Sequence, residues 1–206
     1  MKEKPKSFYS VADFIREYYP EYWGLQIYPQ SECVTIHKIT DEWGLFCNFA
    51  HTPIVIDGVT FRSSEELFQL MKFTDPEILE RIRSGITRDG KTCHEIKRTV
   101  KSYEKEYRRP DWGKIFIDAM KYSLVQKYAQ SPEFRAKLEE SKGRYIVEDQ
   151  SSFAKKQPDA WGVKADGDNF TGPNILGRLL MELRDKGKLD YNLPDDALDF
   201  IRFLRE

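Results

Sequence analysis

At 206 residues the chain fits one domain with an added arm, and it can bury a large core without staples. Hydrophobic residues at 40% and charged residues at 33% exclude a disordered chain, and 33 basic against 34 acidic residues exclude a general nucleic-acid binder, which would carry a basic surplus. No run approaches the about 20 apolar residues of a membrane span, the N-terminus MKEKPKSFYS lacks the apolar run of a signal peptide, and three Cys cannot all pair, so a cytoplasmic protein without membrane association is expected.

The elements follow in chain order. Residues 1–30 form an arm in which Ser10 can cap a helix through Ile15, Tyr18 and Tyr19 that Pro20 ends. Residues 33–39, CVTIHKI, alternate and are β-branched, which predicts a strand. In residues 53–62, Asp57-Gly58 sits between Ile54-Val55-Ile56 and Val59-Thr60-Phe61, a hairpin signal with a type I′ turn. Helical patterns follow at 63–73 and 76–84, and one or two charged helices are expected in 87–107. A longer helix spans 112–129, where Ile115, Phe116, Ala119, Met120 and Leu124 recur at helical spacing, and a short one spans 132–140. Tyr145-Ile146-Val147 predicts a strand. Residues 148–173, rich in Gly, Pro, Asp and Ser without a period, predict a loop. Residues 174–184 form a helix with Leu176, Leu179, Leu180 and Leu183 on one side. Pro194 starts the last helix, with Asp195 and Asp196 at its dipole and Leu198, Ile201 and Leu204 as its stripe. The fold class is α+β, mainly α, in a single compact domain with a small antiparallel sheet or hairpin.

Aromatic residues, 14% of the chain, exceed what a minimal core needs and suit a pocket that stacks a flat ligand. Cys33 and His37, with Cys47 and His51, have a bare spacing that could supply zinc; a strand is a poor place for such ligands, and buried thiols are the plainer reading. Ser63 and Glu66 have capping-box spacing, with Glu66 reaching back to the Ser63 amide. That leaves Glu65 without a structural task. Leu67, Leu70 and Met71 share one helix face, and Glu65, Phe68, Gln69 and Lys72 the other. The polar face is either wet or lines a polar pocket; Phe68 favours the pocket. Asp159-Ala160-Trp161-Gly162 and Gly172-Pro173-Asn174-Ile175-Leu176-Gly177-Arg178 form a second cluster, either a phosphate-binding turn or a plain loop with Asn174 as helix cap.

These blocks resemble the NADAR, or YbiA-like, family over about residues 36–186. Gly44-Leu45-Phe46-Cys47-Asn48-Phe49 is similar to its G-x-[FL]-S-N-F. The run from Ile56-Asp57-Gly58 through Phe61-Arg62-Ser63-Ser64-Glu65, Phe68-Gln69 and Lys72-Phe73 is similar to its D-G-x-x-[FWY]-x-[ST]-S-E-x-x-[FY]-Q-x-x-K. Trp112, Met120, Lys127-Tyr128, Val147-Glu148, Trp161-Gly162 and Gly172-x-Asn174-x-Leu176-Gly177-x-x-Leu180-Met181 follow in order. The chain departs from the pattern at Cys47 (usually Ser), at Glu66 (often His), in a longer loop from Glu148 to Trp161, and at Pro158, which holds the family Asp position just before Asp159. Residues 1–35 and 187–206 are then N-terminal and C-terminal helical extensions of a YbiA-like domain at 36–186.

The resemblance implies a hydrolase of N-glycosyl bonds. Its substrate would be a phosphorylated ribosylamine of riboflavin synthesis or an ADP-ribosyl base such as ADP-ribosyl-guanine, with ADP-ribosylated DNA as a further partner and no obligate protein partner. The alternative is an ADP-ribose- or NAD-binding module without turnover. Glu65 is the implied carboxylate near C1, and Lys72 the implied nucleophile or phosphate partner. Asn48, Phe49, Arg62, Phe68, Gln69, Asp159, Trp161, Gly162, Gly172, Asn174 and Gly177 are the implied substrate contacts, the glycines through close backbone approach. No step calls for a metal or an organic cofactor.

Overall fold

Helix α6 (Trp112–Gln130) is apolar on more than one side: Ile115, Ile117, Ala119, Met120 and Leu124 are all buried. Such a helix belongs inside a domain rather than on its surface. The computed structural model describes residues 11–85 and 95–205, and in it seven further α-helices are formed. They are α1 (Val11–Tyr18), α2 (Ser64–Leu70), α3 (Pro76–Ser84), α4 (Glu95–Lys101), α5 (Glu104–Tyr107), α7 (Pro132–Glu140) and α8 (Ile175–Lys186). Helices α1, α2, α7 and α8 pack directly on α6. Among the described residues no helix is long and apolar enough to cross a membrane. The Ser10 cap and the start of the 87–107 helical segment fall outside the described residues.

Strands are short and fall into three groups. Strand β1 (Gln26–Pro29) pairs antiparallel with β7 (Asn169–Gly172), which pairs antiparallel with β6 (Lys164–Asp166). Strand β2 (Cys33–Ile36) runs parallel to β5 (Tyr145–Glu148), with Val34 opposite Ile146. Strands β3 (Ile54–Ile56) and β4 (Val59–Phe61) form the expected hairpin, with φ of 50° at Asp57 and 81° at Gly58. Positive φ at both turn positions matches a type I′ turn.

The fold is α+β and mainly helical, with the expected small antiparallel sheet in β1-β7-β6 and hairpin in β3-β4, and a separate parallel pair, β2 and β5, beside them. Several local expectations are corrected. Residues 148–173 are not all loop: the Gly and Asp at 166–168 are a hairpin turn between β6 and β7, with Gly167 at φ 57°. The strand expected over 33–39 ends at Ile36, since the Lys38 amide turns to the Asp41 carboxylate at 3.2 Å. The last helix does not begin at Pro194. A 3₁₀ segment, Asp199–Leu204, buries Phe200, Ile201 and Leu204, while Asp196 bonds Arg109 at 2.8 Å.

One apolar cluster holds most of the core, and residues near the start and the end of the described chain join it. Ile15, Tyr19 and Tyr22 lie in it beside Leu67 and Met120, as do Ala197 and Phe200. Helix α8 meets β5 closely at Gly177, where a Cβ would overlap the Ile146 carbonyl oxygen. Asn174 locks the same junction by donating to Ile146 O at 2.9 Å and accepting from Glu148 N at 3.2 Å. Neither backbone can step aside. Gly177→Ala is therefore expected to cost about 1–3 kcal/mol, read as a lower urea midpoint with an unchanged slope.

Candidate active site

Helix α2 is where sequence and site meet. Ser63 is extended, and its Oγ accepts from the Glu66 amide at 3.2 Å, so it caps the helix. Glu66 folds back one residue beyond the amide that a capping box addresses: its Oε2 accepts from Arg62 N at 2.9 Å and from Arg62 Nε at 3.0 Å. Arg62 is thereby held on Glu66 and does not line the cavity described next.

Leu67, Leu70 and Met71 enter the core. The opposite face is not wet: Glu65, Phe68, Gln69 and Lys72 are 5%, 6%, 3% and 8% exposed. These four line a cavity of about 430 Å³. Gln69 Nε2 donates to Glu65 Oε1 at 2.7 Å, which fixes that carboxylate. The Lys72 ammonium pairs with Glu104 of α5 and lies 5.8 Å from the Phe68 ring and 5.7 Å from the Trp112 ring. Burial pushes the Lys72 pKa down, and Glu104 only partly restores it.

The far wall comes from loops. Trp161 meets Phe68 and Phe116 edge-on, with centroids 5.9 and 5.8 Å apart. Asp159 Oδ1 accepts from Trp161 N at 2.9 Å and from Gln150 Nε2 at 2.7 Å, while Gln150 Oε1 accepts from Asp159 N at 2.9 Å. Asp159 thus orients the tryptophan loop from inside the cavity wall. The Asn48 side chain accepts from Ser64 Oγ at 3.1 Å, and the Asn48 carbonyl accepts from the Glu65 amide at 3.0 Å, tying the 44–50 segment to the start of α2. Phe49 also lines the cavity, with Lys97 Nζ 5.8 Å from its ring.

Eight of the expected residues therefore share one cavity: Asn48, Phe49, Glu65, Phe68, Gln69, Lys72, Asp159 and Trp161. Gly162, Gly172, Asn174 and Gly177 do not line it. The glycines admit the chain's own backbone rather than a ligand: a Cβ at Gly162 would collide with the Glu148 carbonyl, and one at Gly172 with the Gly162 carbonyl. Asn174, left-handed at φ 51° and wholly buried, is the staple already described. Cys33 Sγ donates to Pro29 O at 3.1 Å, and burial pushes its thiol up to about 11. Among the described residues no cluster of three His, Cys, Asp or Glu could hold a metal.

Sequence reasoning missed Glu148, the last residue of β5. Its Oε2 is out of contact with solvent and has no hydrogen-bond partner among the described residues. Burial first, then the nearby Asp159 and Glu65 carboxylates, push its pKa up to about 8, against the pull of Lys97. A glutamate closing the apolar run Tyr-Ile-Val was the available signal. Glu104 and Arg108, also in the wall, were hidden in a stretch that looked like solvated charged helix.

Comparison with known proteins places this geometry. The NADAR domain model matches residues 35–187. The N-glycosidase YbiA of Shigella boydii serotype 4 (strain Sb227) is 33% identical over 157 residues, covering 76% of this chain and 89% of that protein. A riboflavin biosynthesis protein of Vibrio vulnificus (strain YJ016) is 26% identical over 168 residues, covering 82% of this chain and 41% of that protein. The NMR structure of the Escherichia coli protein YbiA superposes with a TM-score of 0.59 at 32% identity, covering 75% of this chain and 83% of that one.

Proposed function

The chain belongs to the NADAR family, and from that premise we propose that it is an N-glycosidase that hydrolyses the C1–N bond of a phosphorylated ribosylamine. One observation carries the reading: Glu65 and Lys72, seven positions apart on one helix, are both buried and both face the same 430 Å³ cavity opposite Trp161. A carboxylate and an amine of depressed pKa have little reason to be dried together unless they act on a bound group.

The chemistry follows from the three ionisable groups. A ribosylamine opens readily to a protonated imine at C1. The Lys72 amine adds to that carbon, forming the C1–Nζ bond. The leaving nitrogen takes a proton from Glu148, the C1–N bond breaks, and the proton shed by Nζ as it becomes an iminium returns to Glu148. Glu65 then takes a proton from water as its oxygen adds to C1. Glu65 passes that proton to Nζ, the C1 hydroxyl gives its own proton to the Glu65 carboxylate so freed, and as the aldehyde forms the C1–Nζ bond breaks and releases the Lys72 amine. Throughout, the Glu65 carboxylate faces the positive charge near C1 while itself largely screened from water. Trp161 offers its ring to the departing base.

Glu148 gives this reading a pH signature. A proton donor works only while protonated, and a pKa near 8 keeps it so at neutral pH. The rate should fall as pH rises through about 8. Glu148→Gln should lower kcat by about 10²-fold or more and erase that alkaline limb, read in kcat/KM profiles from pH 6 to 10. The function itself is tested by incubating the protein with a ribosylaminopyrimidine phosphate and measuring freed ribose phosphate. Catalytic release supports it; tight binding with no product over hours points instead to an ADP-ribose- or NAD-binding module.

A further inference from the structure

Beside the reaction cavity lies a second concavity of about 360 Å³. The two share Phe14, Glu104, Arg108 and Trp112, so the second is an annex of the first. Its outer wall is α1, which precedes the family-matched residues 35–187. Phe14 and Tyr18 stack there with centroids 6.4 Å apart. Helix α1 is anchored rather than loosely apposed. Ile15 is buried, Tyr19 Oη donates to Lys114 O at 2.6 Å, and the Phe14 ring covers Gly113 so closely that a Cβ there would overlap it.

The charges around this annex are lopsided. Lys105, Arg108 and Lys114 line it, and among the described residues none of the three forms an ion pair. Its Arg109 is buried and already held by Asp111 at 2.6 Å and Asp196 at 2.8 Å. Its carboxylate, Glu104, is engaged by Lys72. Arg108 also stands close enough to Lys72 to help depress its pKa, so the cationic wall begins beside the reacting amine. Three cations around one concavity, none of them paired with a carboxylate among the described residues and Lys114 Nζ lying 6.0 Å from the Tyr18 ring, suit a phosphoryl group, to which guanidinium and ammonium give charge-assisted hydrogen bonds.

We propose that this annex is the anchoring subsite for the phosphoryl end of the substrate, with Lys105, Arg108 and Lys114 as its ligands and Phe14 and Tyr18 of α1 as its outer wall. The proposal rests on the N-glycosidase reading, because it sets the sugar's C1 at Glu65 and Lys72 and its phosphate beyond Glu104 and Arg108. It also supplies a phosphate site in place of the glycine turns in which the sequence suggested one, whose Gly162, Gly172 and Gly177 do not line the cavity.

The test uses the full chain and a Lys105→Ala/Lys114→Ala double variant. Both lysines are exposed, so the fold is expected to persist, and a thermal melt checks it. Isothermal titration with inorganic pyrophosphate, and separately with inorganic phosphate, reports the subsite without any turnover. The double variant should bind pyrophosphate about tenfold more weakly, raise KM for a ribosylamine phosphate by about tenfold and keep kcat within about threefold. Pyrophosphate should inhibit the wild type competitively, and Lys105→Arg should retain most binding. A Lys142→Ala/Lys188→Ala control should change neither quantity. Unchanged pyrophosphate affinity and KM in the double variant would overturn the subsite. Non-competitive inhibition would overturn it too, because the anion would then be a separate effector rather than the substrate's own arm. Absence of hydrolysis by the wild type would defeat the enzyme reading alone, and the calorimetry would still decide the subsite.

Discussion

Glu65→Gln should leave the protein folded and lower kcat on a ribosylamine phosphate by about 10²–10⁴-fold. The substitution keeps shape and one acceptor, so Gln69 Nε2 still finds an oxygen where it now meets Glu65 Oε1 at 2.7 Å. What disappears is the charge. Glu65 is almost wholly out of water and lies on a helix face shared with Phe68. In such surroundings a carboxylate acts strongly on a cationic centre, and a neutral amide can neither offset that charge nor take a proton from water. The loss should therefore appear in kcat, with KM little changed, and the melting temperature should stay within about 3 °C of wild type. A variant that keeps full activity would remove Glu65 from the mechanism.

Lys72→Ala should be comparably damaging, by about 10³-fold in kcat, because it deletes the atom that bonds to C1. Stability should suffer little. The lysine hides a charged head at a cost in solvation, and its partner Glu104 has a side chain 29% exposed, able to be hydrated once alone. Lys72→Arg separates the two roles open to this residue. A guanidinium stays protonated and could still neutralise a phosphate, but it cannot attack carbon. Activity should remain as low in Lys72→Arg as in Lys72→Ala. Recovery in the arginine variant would reassign Lys72 to charge neutralisation.

What the sequence made legible was local. The α2 pattern separated a leucine face from a Glu-Phe-Gln-Lys face, and the structure buries both, one in the core and one in the cavity. Asp57-Gly58 specified its turn because two positive φ values are a purely local demand. The strand β7 was not legible, since its partner β1 lies some 140 positions earlier and neither segment alternates over enough residues. Gly172 and Gly177 were expected to let the backbone approach a ligand, and the structure sets them against the chain's own carbonyls, of Gly162 and Ile146, a difference that a sequence cannot express. Glu148 escaped notice for a related reason. Its raised pKa is made first by burial and then by Asp159 and Glu65, a setting that exists only after folding.

The central claim is that the Lys72 amine reaches the anomeric carbon while Glu65 faces it. The most direct measurement is to mix the protein with a ribosylaminopyrimidine phosphate in the presence of sodium borohydride, digest it and map the adduct by mass. An amine bonded to C1 through an iminium is reduced to a stable secondary amine, so a ribitol phosphate mass on Lys72 is the predicted result. Steady release of ribose phosphate with no adduct at Lys72, or with one on another lysine, would contradict the account.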